Sequence, residues 1–455
     1  MASTVSTQPD PSVAFSDPDQ HSLNRNQKIG LSLTGVGVLG LLIAMVGGGA
    51  LAPMFTSLLS LGGMGVGGIL YAYATYKTQP AGVHNNGMYF RELTARGGWA
   101  WLLAMVITAF YVLLYFYPAP LENLIRMADP LSMLIVGQKS DQWFLYGMFY
   151  TFAILVMGVK GIYKFRHSAY QTRRIGVIMF VQLFFAFLIP YLMKGFNQPD
   201  YYFSYLWPLQ YRYLFPDTLA RFQESGALGQ FLVFWSVASS FLATPFLTYF
   251  YGKRWYCSWV CGCGGLANTA GDPFRHLSDK SLKAWKIERW LIHSILVLIV
   301  AITGLLWVNA FTYGDFLGPY AGGLKSFYGF VIGNIFSGVI GVGFYPLMGT
   351  RVWCRFGCPM AAYLGILQKY FSRFRITTNG GQCISCGNCS TYCEMGIDVK
   401  WYAQRGQNVV RASCVGCGIC STVCPRGVLK LENGPRTSQY GGPIELSKFG
   451  VNVQK

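Results

Sequence analysis

The chain has 455 residues, 53% hydrophobic and only 12% charged, whereas a soluble globular domain carries about 25% charge. Most of it is therefore predicted to sit in a bilayer. The formal charge of +18 does not point to nucleic acid, because its placement follows a membrane pattern.

Residues 1–28 are rich in Ser, Asp, Pro and Gln and lack an apolar run. They read as a disordered cytoplasmic leader and not as a signal peptide, which needs a basic start and an apolar core. Eight windows without Asp, Glu, Lys or Arg follow, at about 29–54, 57–76, 98–118, 143–159, 175–193, 227–250, 290–308 and 326–348. Each is near the ~20 residues that cross the hydrocarbon core as a helix, and lipid allows no open backbone. So little separates the first two that a tight hairpin is expected. With a cytoplasmic N-terminus, 30 of the 36 Lys and Arg fall on the inner side, as the positive-inside bias requires. Both termini are thus expected in the cytoplasm, with the chain multi-pass in a bacterial inner membrane.

All thirteen cysteines lie after residue 256 at short spacings, which favours metal or redox use over structural disulfides. Residues 383–393 read Cys-Ile-Ser-Cys-Gly-Asn-Cys-Ser-Thr-Tyr-Cys, and 414–425 read Cys-Val-Gly-Cys-Gly-Ile-Cys-Ser-Thr-Val-Cys-Pro. Both are C-x2-C-x2-C-x3-C, the bacterial ferredoxin run, in which the fourth cysteine ligates the other cluster. The spacing predicts one [4Fe–4S] cluster on Cys383, Cys386, Cys389 and Cys424, and a second on Cys414, Cys417, Cys420 and Cys393. Gly387, Gly416 and Gly418 suit a tight loop wrapped around sulfur. Glu394 stands where a Pro would follow the first run, and its charge is expected to lower the potential of the nearby cluster. Paired C-x2-C can also bind zinc, but two matching runs with the x3 step disfavour it.

Five cysteines remain. Residues 254–262 (Arg-Trp-Tyr-Cys-Ser-Trp-Val-Cys-Gly) and 351–359 (Arg-Val-Trp-Cys-Arg-Phe-Gly-Cys-Pro) align as R-x-x-C-x-[WF]-x-C, an internal repeat placed just after two spans. On a helix, i and i+4 share a face, so Cys257/Cys261 and Cys354/Cys358 would each present two sulfurs. Three readings stay open for these four: a metal or additional cluster site, a reversible dithiol relay, or buried structural cysteines. Cys263 reads as structural, with replacement of a neighbouring ligand as its alternative. Pro359 suits a first helical turn, and 360–374 resembles an amphipathic helix lying on the membrane.

The two CxxxC repeats followed by two ferredoxin runs resemble the polytopic membrane ferredoxins of the NapH/NosR/CcoG type, over about residues 227–432. Gly262 departs from the Pro usual there. The resemblance implies an electron-transfer subunit of a quinol-dehydrogenase-like oxidoreductase. It would pass electrons between the quinone pool, or a cytoplasmic donor, and a protein redox partner. A copper reductase or assembly factor for a respiratory metalloenzyme is the alternative it implies. No nucleotide fingerprint accompanies the cysteines. His293 is the one histidine inside a span, which gives no haem pair and leaves it a satisfied polar residue or part of a quinone pocket. The outer loop 199–216, dense in Tyr, Trp and Phe, reads as an interfacial belt, with a quinone mouth or docking surface as the alternative.

The expected fold is an all-α polytopic membrane protein of about eight transmembrane helices with a small C-terminal α+β two-[4Fe–4S] ferredoxin domain. The expected segments are the leader at 1–28, spans one to six at 29–250, and spans seven and eight with both CxxxC elements at 251–375. The ferredoxin domain follows at 376–432 and a tail at 433–455.

Overall fold

The computed structural model describes residues 23–46, 52–77 and 96–434. Among the described residues, eight helices are long and apolar enough to cross a membrane. They are α1 (Arg25–Val46), α2 (Pro53–Tyr76), α3 (Gly98–Phe116), α4 (Gln142–Lys164), α5 (Ala169–Gly195), α6 (Gly226–Tyr251), α7 (Leu282–Phe311) and α8 (Tyr320–Gly343). They match the eight charge-free windows one for one, and this is a membrane protein. Most of the expected leader and tail lie outside the described residues; positions 25–28, assigned to the leader, already belong to α1.

The first two helices pack as the expected hairpin. A Cβ placed on Gly67 would stand 2.5 Å from the Thr34 backbone nitrogen, so the contact depends on small residues, as helix interfaces in lipid do.

The aromatic loop between α5 and α6 does not form a surface belt. Tyr201, Trp207, Tyr211, Tyr213 and Phe215 are buried, and the loop descends along α6. Tyr201 Oη meets Ser236 Oγ at 3.0 Å, and the Trp207 and Phe241 rings lie 5.7 Å apart. The Leu206 N–H donates to Tyr256 Oη, beyond the far end of α6, while that hydroxyl donates to the Ser204 carbonyl. Irregular backbone at this depth is tolerated because it is enclosed by protein. Period and composition marked the segment as aromatic but carried no information on depth.

Beyond α8 the chain forms helix α9 (Pro359–Tyr370). Pro359 opens it, as expected. The helix does not lie free on the membrane: Met360, Ala361, Ala362, Leu364, Gly365 and Gln368 are buried, and it packs against α6 and α7. Strand β1 (Phe374–Thr378) then pairs antiparallel with β2 (Leu429–Asn433), with Phe374 opposite Asn433. This two-stranded sheet clasps the ends of the segment holding both ferredoxin runs. One hydrophobic core runs from Leu206 and Tyr211 through the CxxxC cysteines to Val409 and Leu429. The module and the helical bundle are therefore packed as one body.

Candidate functional site

The ferredoxin runs fold alike. Gly387 and Gly418 adopt left-handed φ values of 81° and 74° and cap short helices, Asn388–Thr391 and Ile419–Thr422. Those helices carry Cys389 and Cys420. Gly416 also has a positive φ, 61°, and Ser385, at the corresponding place in the first run, follows it at 59°. Such values suit glycine and strain a serine, so the wrapping loop dictates both.

Cys383, Cys386 and Cys389 line one cavity together with Cys424 from the other run. Cys414, Cys417 and Cys420 gather around Cys393, and burial and mutual proximity push the Cys420 thiol well up. Burial likewise pushes Cys414 up to about 12 and Cys417 to about 11. Thiols so placed favour the neutral form until a cation is bound, which deprotonates its ligands outright. Two fours of cysteine, each three from one run and one from the other, fit the donor set of a two-cluster ferredoxin.

The two sets face different ways. Cys386 is exposed. The second run faces the helical bundle, and four consecutive carbonyls of it are held by side chains from that bundle. Gln368 donates to Cys414 O at 2.8 Å, Ser258 to Val415 O at 2.6 Å, Tyr170 to Gly416 O at 2.9 Å and Gln171 to Cys417 O at 3.0 Å. Buried carbonyls need such partners, and these fix the run against α5, α9 and the first CxxxC element.

The CxxxC elements are brought together, though not on shared helix faces. The first helical turn ends at Cys257, and Cys261 is extended (φ −61°, ψ 132°) at the start of helix Gly262–Asn268. Cys354 lies in a widened turn, Trp353–Gly357, and Cys358 is extended (φ −82°, ψ 111°) before α9. Each second cysteine caps the next helix, because the chain must turn between two helices there. All four are buried and uncrosslinked. Burial pushes Cys257 up to about 12 against the pull of Lys253 and Arg351. Cys261 is held down to about 7, first by the hydrogen bond that Cys263 donates and then by the Gly264 N–H. Among the described residues, no three His, Cys, Asp or Glu are grouped tightly enough to hold a single metal ion.

What joins this element to the ferredoxin module is charge that spacing alone did not reveal. Arg351 of the second repeat reaches the Cys257 carbonyl at 3.3 Å, Cys354 Sγ at 3.6 Å and Glu394 Oε1 at 2.7 Å. Arg275 meets Glu394 Oε2 at 2.9 Å and Asp272 at 3.2 Å, and Lys164 meets Asp272 at 2.6 Å. Glu394, beside Cys393, is fully buried. Although burial opposes it, Arg351 and Arg275 hold its carboxyl below the usual carboxylate range. Its charge is thus offset by two guanidiniums. Arg254, the matching repeat arginine, lies over the Phe374 ring at 4.8 Å. Both repeat arginines touch the module, and the aligned R-x-x-C was the signal for it.

On its other side the element borders a cavity of about 800 Å3 lined by eight tyrosines, among them Tyr115, Tyr150, Tyr205 and Tyr328, and by Cys263, Trp353 and Pro359. Its far rim carries Asp141, Lys194, Asp200 and Arg212. Trp353 Nε1 is buried there without a hydrogen-bond partner. Gly262 packs against this wall: a Cβ would stand 2.5 Å from Tyr205 Oη and 2.7 Å from Tyr150 Oη. That is the physical reason the first repeat departs from proline. His293 lies elsewhere, lining a second cavity, with its Nδ1 2.6 Å from the Arg289 carbonyl oxygen.

Comparison with known proteins finds the same segments. A family described as "4Fe-4S dicluster domain" matches residues 382–429, and one described as "4Fe-4S binding domain" matches twice, at 233–281 and 331–378. The double match falls on the internal repeat. The chain is 28% identical to the "Putative electron transport protein YccM" of Escherichia coli strain K12, over 32% of this chain and 43% of that protein. It is 27% identical to the "Methylamine utilization ferredoxin-type protein MauN" of Methylobacillus flagellatus, over 32% of this chain and 50% of that protein. The chain thus spans about half the length of these relatives, or less. No solved structure matches. The regions these family models match hold the cysteines that the fold gathers, so the chain is a membrane protein carrying 4Fe–4S ferredoxin-type domains and is similar to these electron-transport and ferredoxin-type proteins.

Proposed function

We propose that this electron-transfer iron–sulfur protein connects the quinone pool with a protein redox partner through two [4Fe–4S] clusters and the Cys257/Cys261/Cys354/Cys358 element. Clusters held by the two cysteine sets supply one-electron storage. Cys386, exposed, gives the first set its access to a soluble partner. Gln368, Ser258, Tyr170 and Gln171 fix the second set against the bundle, and the Arg351–Glu394 contact holds it to the CxxxC element. The positive-inside count supports a cytoplasmic module in a bacterial inner membrane.

The observation that carries the reading is this continuity, from an exposed cysteine through a packed core to a cavity inside the bundle. The Trp353 indole N–H, buried without a partner in that aromatic cavity beside the Tyr150 and Tyr205 hydroxyls, suits a planar ring bearing oxygen acceptors, which is why a quinone is proposed at its end. The test replaces Cys257 and Cys354 with serine and compares cluster reduction by a quinol analogue with reduction by dithionite. The proposal expects dithionite reduction to persist and quinol-linked reduction to fall at least ten-fold. Undiminished quinol-linked reduction would overturn it.

A further inference from the structure

A cavity of about 580 Å3, distinct from the tyrosine-lined one, opens where the ferredoxin module meets the membrane-embedded bundle. Its walls come from the first turns of α7, from α9 and from the module. Lys253, Arg289, Lys369 and Arg411 all line it, and among the described residues none of the four has a carboxylate partner. Arg289 and Arg411, from different parts of the fold, stack on the same indole, with Cζ 5.1 and 4.7 Å from the Trp285 ring centroid. Two guanidiniums are thereby held on one ring, where like charges repel. Lys253, almost fully buried, donates only to the Ala412 carbonyl, at 3.2 Å, from its ammonium. The lone acid of the cavity, Glu288, is engaged elsewhere, by Arg355 at 3.2 Å and by the Ser413 hydroxyl.

The remaining lining is apolar, including Ile292, Ile366 and Val410. Trp285 and Arg289 lie in the opening turns of α7, at the depth where aromatic rings and basic groups sit at a lipid headgroup layer. Converging unpaired cations above an apolar wall at a membrane boundary match an anionic headgroup attached to acyl chains. Basic pockets beside transmembrane helices take such headgroups. We propose that this cavity binds the phosphodiester of an anionic phospholipid, which bridges α7, α9 and the ferredoxin module and holds the module against the membrane. The lipid's negative charge would lower the repulsion among the four cations, and its chains would cover the apolar wall.

The test uses the full-length protein, clusters intact, purified in detergent and stripped of lipid by washing. Native mass spectrometry then follows titration with dioleoyl-phosphatidylglycerol, dioleoyl-phosphatidylcholine or inorganic phosphate. One phosphatidylglycerol per chain is expected to remain bound at concentrations where phosphatidylcholine does not. Inorganic phosphate at millimolar concentration should not displace it. Arg289→Gln and Lys369→Gln should each raise the half-saturating concentration roughly five-fold, and together by more than either alone. Lys286→Gln, on the same helix outside the cavity, should change nothing. Equal retention of phosphatidylcholine, displacement by phosphate, or a double variant that binds like the parent would each overturn the assignment. The lipid comparison on the unaltered protein stands even where a variant does not fold.

Discussion

Replacing Glu394 with glutamine keeps the side chain's shape and removes the negative charge that Arg275 and Arg351 share. The two contacts are 2.9 and 2.7 Å. At an effective dielectric of about 20 each amounts to roughly 6 kcal/mol of gross attraction, most of it offset by desolvation of the three ions. What decides the outcome is that both guanidiniums stay buried, with side chains at most 1% exposed. Removing one partner of such a buried pair costs about 3–5 kcal/mol. Because the contact ties the CxxxC element to the segment after Cys393, the loss should appear first as local opening. At 1.36 kcal/mol per factor of ten, opening should rise roughly a hundred- to several-thousand-fold. Anaerobic hydrogen exchange read by mass spectrometry measures this at residues 351–358 and 393–399, with α3 as the internal reference. Protection at both segments unchanged within about five-fold would refute the reasoning, and so would an equal loss in α3, which would mean global unfolding.

Other outcomes follow from the same geometry. Gly262→Ala places a methyl against Tyr205 and Tyr150 and should lower stability by about 1–3 kcal/mol; Tyr205→Phe, which removes the nearer oxygen, should restore part of it, as thermal melting will show. Although burial opposes it, Lys164, Arg275 and Lys160 hold Asp272 well below the usual carboxylate range. A depressed folded-state pKa contributes stability that is full above the ordinary carboxylate value and is lost as pH falls through the folded one. Asp272→Asn should therefore already be about 3 kcal/mol less stable at neutral pH, and its deficit should vanish only in strong acid, read from paired melting curves. The crossed ligand sets predict that Cys424→Ala with Cys383→Ala removes one cluster, leaving about four irons, whereas Cys424→Ala with Cys414→Ala removes both; iron counts after anaerobic purification decide between crossed and uncrossed ligation.

Features carried by local pattern were legible in the sequence. The eight windows became eight helices because hydropathy over some twenty residues is a local property, and the tight turns at Gly387, Gly416 and Gly418 followed from cysteine spacing. The helical presentation of Cys257/Cys261 and Cys354/Cys358 was not borne out. Cys261 and Cys358 begin new helices, and i,i+4 geometry fails across such a break. The depth of the aromatic loop depends on Tyr256, about fifty positions away, and the Glu394 lock on Arg275 and Arg351, at 119 and 43 positions. No local period encodes those meetings. Two departures from pattern, Glu394 and Gly262, were nonetheless visible, and each marks a close contact in the fold.

The most direct test of the central claim is an iron and acid-labile sulfide count on anaerobically purified protein, read with EPR after reduction. Two cluster sets on the eight ferredoxin cysteines predict at least about eight irons and eight sulfides per chain, with signals of reduced [4Fe–4S] centres. Protein that holds zinc at these cysteines, without labile sulfide or an EPR signal, would contradict the account.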